Sequence, residues 1–441
     1  MMPAEHSHGV VPIGLTLSQP GDLTKAAAAP VSARSSRSMQ IAINCLQVDP
    51  SYVGGVTTYV LGLFQGFANV GPVHKFRLYV TRGNAAVFER FRKYGNFEIV
   101  TVDDRLLPLR SHVSRAALLS RHSGFVKLTS DIAFSRLREM MESDCSVVYT
   151  PTPVLRYFNG RRPSVLTMHD IQHLHHPEFF SWPKLLSRRM TYGLSARHAH
   201  YFHANSRFTK ADLLNHYRWL SEDQVEVIPP GVALEDFSVS SDAETVCEKY
   251  GLSGPFLFCP AQLWPHKNHI TILRALKHIE SRCGLKIPLV MTGANYSAGS
   301  VLFRFINEES MYYVRYLGRV PFKDLIALYR SAAFLVTASL HESSSFPILE
   351  AAASGTPIIA SRIPPFEEFA EVLQINLFET LDIHGLAALI EDLWGNRTLS
   401  AAQADYNREH VAFYSWENTA RKYIDLFERA VAYNEFSSPC K

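Results

Sequence analysis

Short apolar runs that mostly end in Thr, Asp, Pro or Ser recur along this chain. They alternate with stretches whose apolar residues fall at helical spacing, and nothing else restricts the fold as much. From Met39 the runs are MQIAINCLQV, KFRLYVTRG, FEIVTVD, CSVVYTP, PSVLTMHD and HYFHANS, with GGVTTYVLGLFQGFANV, NAAVFERFRKYG and FTKADLLNHYRWL as amphipathic spacers. Such alternation predicts a parallel sheet covered by helices on both faces. The same order restarts after QVEVIPPGVALEDF, with PFLFCPAQ, PLVMTGA, VRYLGRV, AAFLVTAS and TPIIASR as strands and HITILRALKHIESR and FKDLIALYRSA as helices. The expected fold class is therefore α/β: two Rossmann-like, doubly wound parallel-sheet domains, residues 39–228 and 229–412, facing a central cleft. Ligands of open α/β sheets bind at the carboxyl ends of the strands, so the site is expected in that cleft. SWENTARKYIDLFERAVAY predicts a final amphipathic helix over 413–435, with Trp416, Tyr423 and Leu426 or Phe427 inward, that packs back across the domains.

Residues 1–38 are rich in Ala, Ser and Pro and read as a disordered leader, with Met39 a possible start. A formal charge of +3 gives no case for nucleic acid as a partner. Cys45, Cys145, Cys247, Cys259, Cys283 and Cys440 form no CxxC pair and read as reduced thiols. No apolar run reaches the ~18 residues of a membrane span.

The segment AAFLVTASLHESSSFPILEAAASGTPIIAS carries the chemistry. Its apolar run ends near Ser339, Pro347 suits the first turn of a helix, and Gly355 suits the position just past its end. Glu342 then lies in the loop and Glu350 in the helix's first turn. Between them, the backbone N–H groups of Ser344, Ser345 and Phe346 and the open helix N-terminus offer donors to a diphosphate. An acidic residue in a first turn is also favoured by the helix dipole alone.

This stretch resembles the signature of the retaining glycosyltransferases of family four, which have the GT-B fold. The likeness runs from Met39 to about Tyr433 and points towards bacterial surface-polysaccharide mannosyl- or rhamnosyl-type enzymes. It implies that Glu342 lies by the donor sugar and that Glu350 binds the ribose. The family's loop usually carries glycines after the first glutamate, whereas this chain has three serines.

In QLWPHKNHITIL, Lys267 follows a strand and can neutralise a leaving diphosphate. The string resembles the family's second phosphate site, with Gln262 where an arginine usually stands. VLTMHDIQHLHHPEFF places His169 at a strand end, with His173, His175 and His176 behind it, in spacings that match no zinc pattern. His169 suits hydrogen bonding to sugar hydroxyls, and the family has a histidine lining the donor-sugar site there. Gly54 and Gly55 would let backbone approach a ligand at the first strand-to-helix turn. Ser206 and Arg207 resemble a family phosphate contact, although Ser206 is equally a helix cap. Gly293, and Gly318 to Val320, resemble turns that wrap the nucleobase.

The expectation is retaining transfer of a hexosyl group from an NDP-sugar, a GDP-sugar as first guess, to a glycan or lipid-linked acceptor in polysaccharide biosynthesis. His169, Lys267 and Glu342 are the expected catalytic residues. No metal and no cofactor are expected, because Asp103 and Asp104 do not form a DxD pattern. A cytoplasmic location is expected, with peripheral contact between the inner membrane and a basic region from Arg105 to Arg138 that includes Arg110, Arg115, Arg121 and Lys127. Two other readings stay open: a nucleotide-sugar epimerase of the same shape, and a non-catalytic nucleotide-sugar-binding module.

Overall fold

A computed structural model describes residues 38–49, 55–106, 122–238 and 242–437. The leader up to residue 37, Gly54, Arg110, Arg115, Arg121 and Cys440 lie outside these residues.

The first sheet contains β1 (Gln40–Asn44), β2 (Lys75–Val80), β3 (Phe97–Thr101), β4 (Val147–Thr150), β5 (Ser164–Met168), β6 (Tyr201–Ala204) and β7 (Val225–Val227). They lie in the order β3-β2-β1-β4-β5-β6-β7, and every pairing is parallel. The second sheet contains β8 (Leu257–Pro260), β9 (Leu289–Thr292), β10 (Val314–Tyr316), β11 (Phe334–Thr337), β12 (Ile358–Ser361) and β13 (Asn376–Phe378). Its order is β10-β9-β8-β11-β12-β13, again parallel throughout. Strands such as Val147–Thr150 and Phe334–Thr337 are buried along their whole length, which is why they read as unbroken apolar runs. The expected pair of doubly wound sheets is present. The three-residue edge strands β7 and β13 were not among the predicted ones, whereas β10, an edge strand of the same length, was.

The helices that matter for the site are α1 (Gly55–Val70), α2 (Gln172–His175), α3 (Arg207–His216), α4 (His269–Cys283), α5 (Phe322–Ser331), α6 (Phe346–Ser354), α7 (Pro364–Ala370) and α8 (Trp416–Ser437). NAAVFERFRKYG, expected as a full helix, forms only the turns Ala85–Phe88 and Glu89–Phe91.

The last helix packs on α1 and on β4 and β5 of the first sheet, after a parallel bridge between Val232 and Ser415. Trp416, Tyr423, Leu426 and Phe427 are all buried. Space for Trp416 comes from α1: a Cβ on Gly62 would lie 2.1 Å from the indole, and one on Gly66 would lie 2.3 Å from the Trp416 carbonyl oxygen. The Tyr423 hydroxyl meets those of Tyr59, Tyr149 and Thr167 at 2.9, 3.0 and 3.0 Å, so the buried hydroxyls satisfy one another. Among the described residues no helix is long and apolar enough to cross a membrane, and Cys45, Cys145, Cys247, Cys259 and Cys283 are free thiols.

Candidate functional site

Strand order reverses between β1 and β4 in the first sheet and between β8 and β11 in the second. Crevices at such switch points are where doubly wound sheets hold ligands. Lys267 follows β8 and Glu342 follows β11, so they emerge side by side. Nζ of Lys267 donates to Glu342 Oε1 at 2.5 Å, with the two side chains 21% and 13% exposed.

The local chain explains this meeting. Pro265 opens a one-turn 3-10 helix that ends at Lys267, and Asn268 turns the backbone at φ 52° into α4. Asparagine tolerates this left-handed conformation, and its side chain anchors the turn. Nδ2 donates to the Ala338 carbonyl at 3.1 Å, and Oδ1 accepts from the Thr271 hydroxyl at 3.1 Å. The Leu340 N–H donates to the His266 carbonyl at 2.8 Å, which ties the lysine turn to the glutamate loop. Burial lowers the His266 imidazole to about 4, and lowers that of His341 as well. Both rings stay neutral at physiological pH.

Ser345 caps α6, its Oγ accepting from the Ile348 N–H at 3.4 Å, with Pro347 in the first turn and Gly355 just past the end at φ 70°. Because that cap starts the helix at Phe346, the first turn holds no acidic residue, and Glu350 sits in the second turn. This corrects the expected placement of Glu350, and the first-turn dipole does not account for it. Instead Glu350 Oε2 accepts from the Tyr329 hydroxyl of α5 at 2.8 Å, and burial of the carboxyl raises its pKa to about 7. At the mouth of α6 the Ser344 hydroxyl is buried without a partner. The N–H groups of Ser344, Ser345 and Phe346 make no hydrogen bond within the described residues. The loop that carries Glu342 thus holds four donors without a partner among the described residues.

The first sheet supplies the opposite wall. His169, just past β5, donates from Nε2 to the Pro151 carbonyl at 3.2 Å, while Nδ1 accepts from Asn205 Nδ2 at 3.5 Å. Its ring stands edge-on to Tyr59, and burial lowers its pKa, so it is a neutral imidazole with both nitrogens engaged. Asn205 Nδ2 also donates across the cleft to Ser343 Oγ at 3.2 Å, while its Oδ1 is buried without a partner. Gly55 lies against α6: a Cβ there would be 3.8 Å from the Phe346 ring. Gly55, His169 and the Glu342 loop thus share one cleft.

Other expected contacts fall differently. Ser206 caps α3, accepting from the Thr209 N–H at 3.1 Å. The N–H groups of Arg207 and Phe208 donate to Glu368 of α7, each at 2.8 Å, and the Arg207 guanidinium pairs with Glu371. Second-half carboxylates thus occupy that helix mouth. Gly293 adopts φ 117°, and a Cβ on it would meet the Ala261 carbonyl at 2.8 Å and the Gln262 nitrogen at 2.9 Å. Its N–H donates to the Gly318 carbonyl at 2.8 Å, so these turns do gather beside Gln262. The Gln262 Oε1 accepts from Trp264 Nε1 at 2.9 Å, and Trp264 stacks on Tyr296 with ring centroids 4.0 Å apart. Val320 packs on the core of the second sheet. Asn205, Ser343, Tyr329 and the Trp264–Tyr296 stack were not foreseen.

A family model described as "Glycosyltransferase Family 4" matches residues 53–236, and one described as "Glycosyl transferases group 1" matches residues 254–396. The chain belongs to the family 4 glycosyltransferases. O-antigen chain mannosyltransferase B of Escherichia coli is 27% identical over 277 residues, which cover 60% of this chain and 70% of that protein. D-inositol 3-phosphate glycosyltransferase of Corynebacterium urealyticum is 26% identical over 46% of this chain and 51% of its own length. O-antigen chain mannosyltransferase RfbU of Salmonella typhimurium is 27% identical over 47% and 54%. The chain thus spans about half the length of the last two relatives. Among solved structures, Anabaena HepE in complex with UDP and glucose superposes with a TM-score of 0.68 at 16% identity, covering 89% of this chain and all of HepE. WaaG, a glycosyltransferase involved in lipopolysaccharide biosynthesis, gives 0.65 at 15% identity, covering 88% of this chain and 99% of WaaG. The fold of this family 4 chain is GT-B.

Proposed function

We propose that this chain is a retaining hexosyltransferase that moves mannose or a deoxyhexose from a GDP-sugar to a hydroxyl of a lipid-linked glycan in polysaccharide biosynthesis. The observation that carries the reading is the Lys267–Glu342 contact beside the unsatisfied donors at the mouth of α6. The O-antigen mannosyltransferases among the relatives support the choice of sugar and pathway.

In this reading the donor diphosphate lies on the N–H groups of Ser344, Ser345 and Phe346, and Lys267 exchanges its carboxylate partner for a phosphate oxygen. Gln262 lies beside the phosphates, Glu350 takes the ribose hydroxyls, Glu342 holds the hexose, and His169, its ring nitrogens engaged by Pro151 and Asn205, flanks the sugar. The base lies by the Gly293 and Gly318 to Val320 turns. The bond between the anomeric carbon and the diphosphate oxygen breaks. The acceptor oxygen bonds to that carbon from the same face, and its proton passes to the departing diphosphate. Lys267 stabilises the charge that develops there, so the transfer step calls for no metal. Gly55 borders the phosphates from the other wall. Ser206 serves as a cap for α3 in this arrangement.

Peripheral contact with the cytoplasmic face of a membrane is part of the proposal. On the helix Ser123–Ala133, Phe125, Leu128 and Ile132 are 50%, 58% and 66% exposed at i, i+3 and i+7, an apolar row suited to the lipid interface.

The experiment is a turnover screen of GDP-, UDP-, ADP- and dTDP-sugars, with thermal shifts for binding. Acceptor-dependent release of GDP supports the reading. Donor conversion that needs no acceptor selects an epimerase, and binding without turnover selects a binding module.

A further inference from the structure

The histidine run behind β5 looks unlike a metal site in sequence, because its partners lie on a different helix. His175 closes α2, while Asp212 and His216 stand four residues apart on one face of α3. His175 Nε2 donates to both Asp212 carboxylate oxygens at 2.8 Å, and His216 Nδ1 lies 3.3 Å from Asp212 Oδ1 and 3.2 Å from the Asp212 carbonyl oxygen. One ligand atom from each of the three residues can be drawn from a set lying within 4.8 Å of one another. Among the described residues no lysine or arginine pairs with Asp212, although its side chain is only 10% exposed. Two imidazoles and one nearly buried carboxylate therefore converge with no fixed cation to balance the charge. The imidazoles remain accessible, at 33% and 37% exposure.

We propose that His175, Asp212 and His216 form a binding site for a borderline divalent cation of the Zn2+ class. Imidazole and carboxylate donors suit such an ion, and imidazoles do not select Mg2+ or Ca2+. A tetrahedral ion with bonds of about 2.0–2.2 Å holds its donors about 3.4 Å apart, near the 2.8 and 3.3 Å at which the Asp212 carboxylate already meets His175 and His216, and leaves the fourth position to water. The ion pins α2 to α3, and with them the segment that follows His169. The His175 ring also lies 5.4 Å from that of His341, the neighbour of Glu342, so this clamp stands at the edge of the sugar cleft without entering it. The site stands on its own geometry and does not depend on the proposed reaction.

The test uses the tag-free full chain stripped with EDTA. Isothermal titration with Zn2+ and visible spectra with Co2+ are expected to show one equivalent bound and tetrahedral Co2+ bands. H175A and H216A each weaken binding by about tenfold or more, and D212N does likewise. H384A, which removes the separate His278–His384 pair whose rings are 4.5 Å apart, leaves binding unchanged. Saturating Zn2+ raises the Tm of the native chain and not of H216A, whose circular dichroism without metal matches that of the native chain. Absence of stoichiometric binding, or binding that survives H216A and D212N, overturns the site.

Discussion

Lys267 Nζ and Glu342 Oε1 lie 2.5 Å apart although their residues are separated by 75 positions, and both side chains are mostly shielded from water. Removing one partner leaves the other charge mostly buried and unpaired. K267A or E342A alone is therefore expected to destabilise the fold by about 1–3 kcal/mol, and the double variant by less than the sum. Urea unfolding of the four proteins measures the coupling. Strict additivity would mean that the pair is not formed in solution.

Glu350 makes a pH prediction whose sign follows from burial. Its folded pKa of about 7 lies above the ordinary 4.5, so the folded state holds the proton more tightly than the unfolded chain. Its contribution to stability is highest below pH ~4.5 and declines as pH rises through ~7, by up to about 3 kcal/mol. E350Q removes that decline and should gain Tm relative to the native chain at pH 8 but not at pH 5. Y329F removes the hydrogen bond that favours the ionised form, and so should steepen the native loss.

Gly62 makes room for Trp416, and a Cβ would press within 2.1 Å of the indole. G62A is expected to cost about 2–3 kcal/mol and to loosen the last helix. Limited proteolysis should then cut ahead of Trp416 in the variant at conditions the native chain resists. Unchanged protection would show that α1 and α8 have room to shift.

Under the proposed membrane contact, Phe125, Leu128 and Ile132 face lipid. Replacing all three with Ser should reduce sedimentation with vesicles containing anionic lipid by about tenfold while leaving nucleotide binding intact. Equal sedimentation would assign the exposed row to something other than a membrane.

Much of this fold was legible because parallel strands buried on both faces must be continuously apolar. Val147–Thr150 and Ile358–Ser361 announce themselves in that way. Val225–Val227 and Asn376–Phe378 do not, being three-residue edge strands that are only partly buried. Pro347 and Gly355 bracketed α6, yet Glu350 was placed a turn too early, since the Ser345 cap sets where that helix begins. Lys267 and Glu342 could each be singled out from its own motif, and their contact follows from the adjacency of β8 and β11. Asn205 and Ser343 could not be paired, because 138 residues separate them and only the apposition of two sheets brings them together. Asp212 was hidden for the same reason: half of its histidine partners come from another helix.

In the proposed function, Lys267 and Glu342 serve transfer from a nucleotide-sugar with the anomeric configuration kept. The most direct measurement is turnover of GDP-mannose with a polyprenyl-linked glycan acceptor, reading the product anomer by NMR for the native chain, K267A and E342Q. Retaining transfer gives an α-linked product from the α-configured donor, and kcat is expected to fall by about 100-fold or more in each variant while GDP still binds. A β-linked product, or variants that transfer at the native rate, would contradict it.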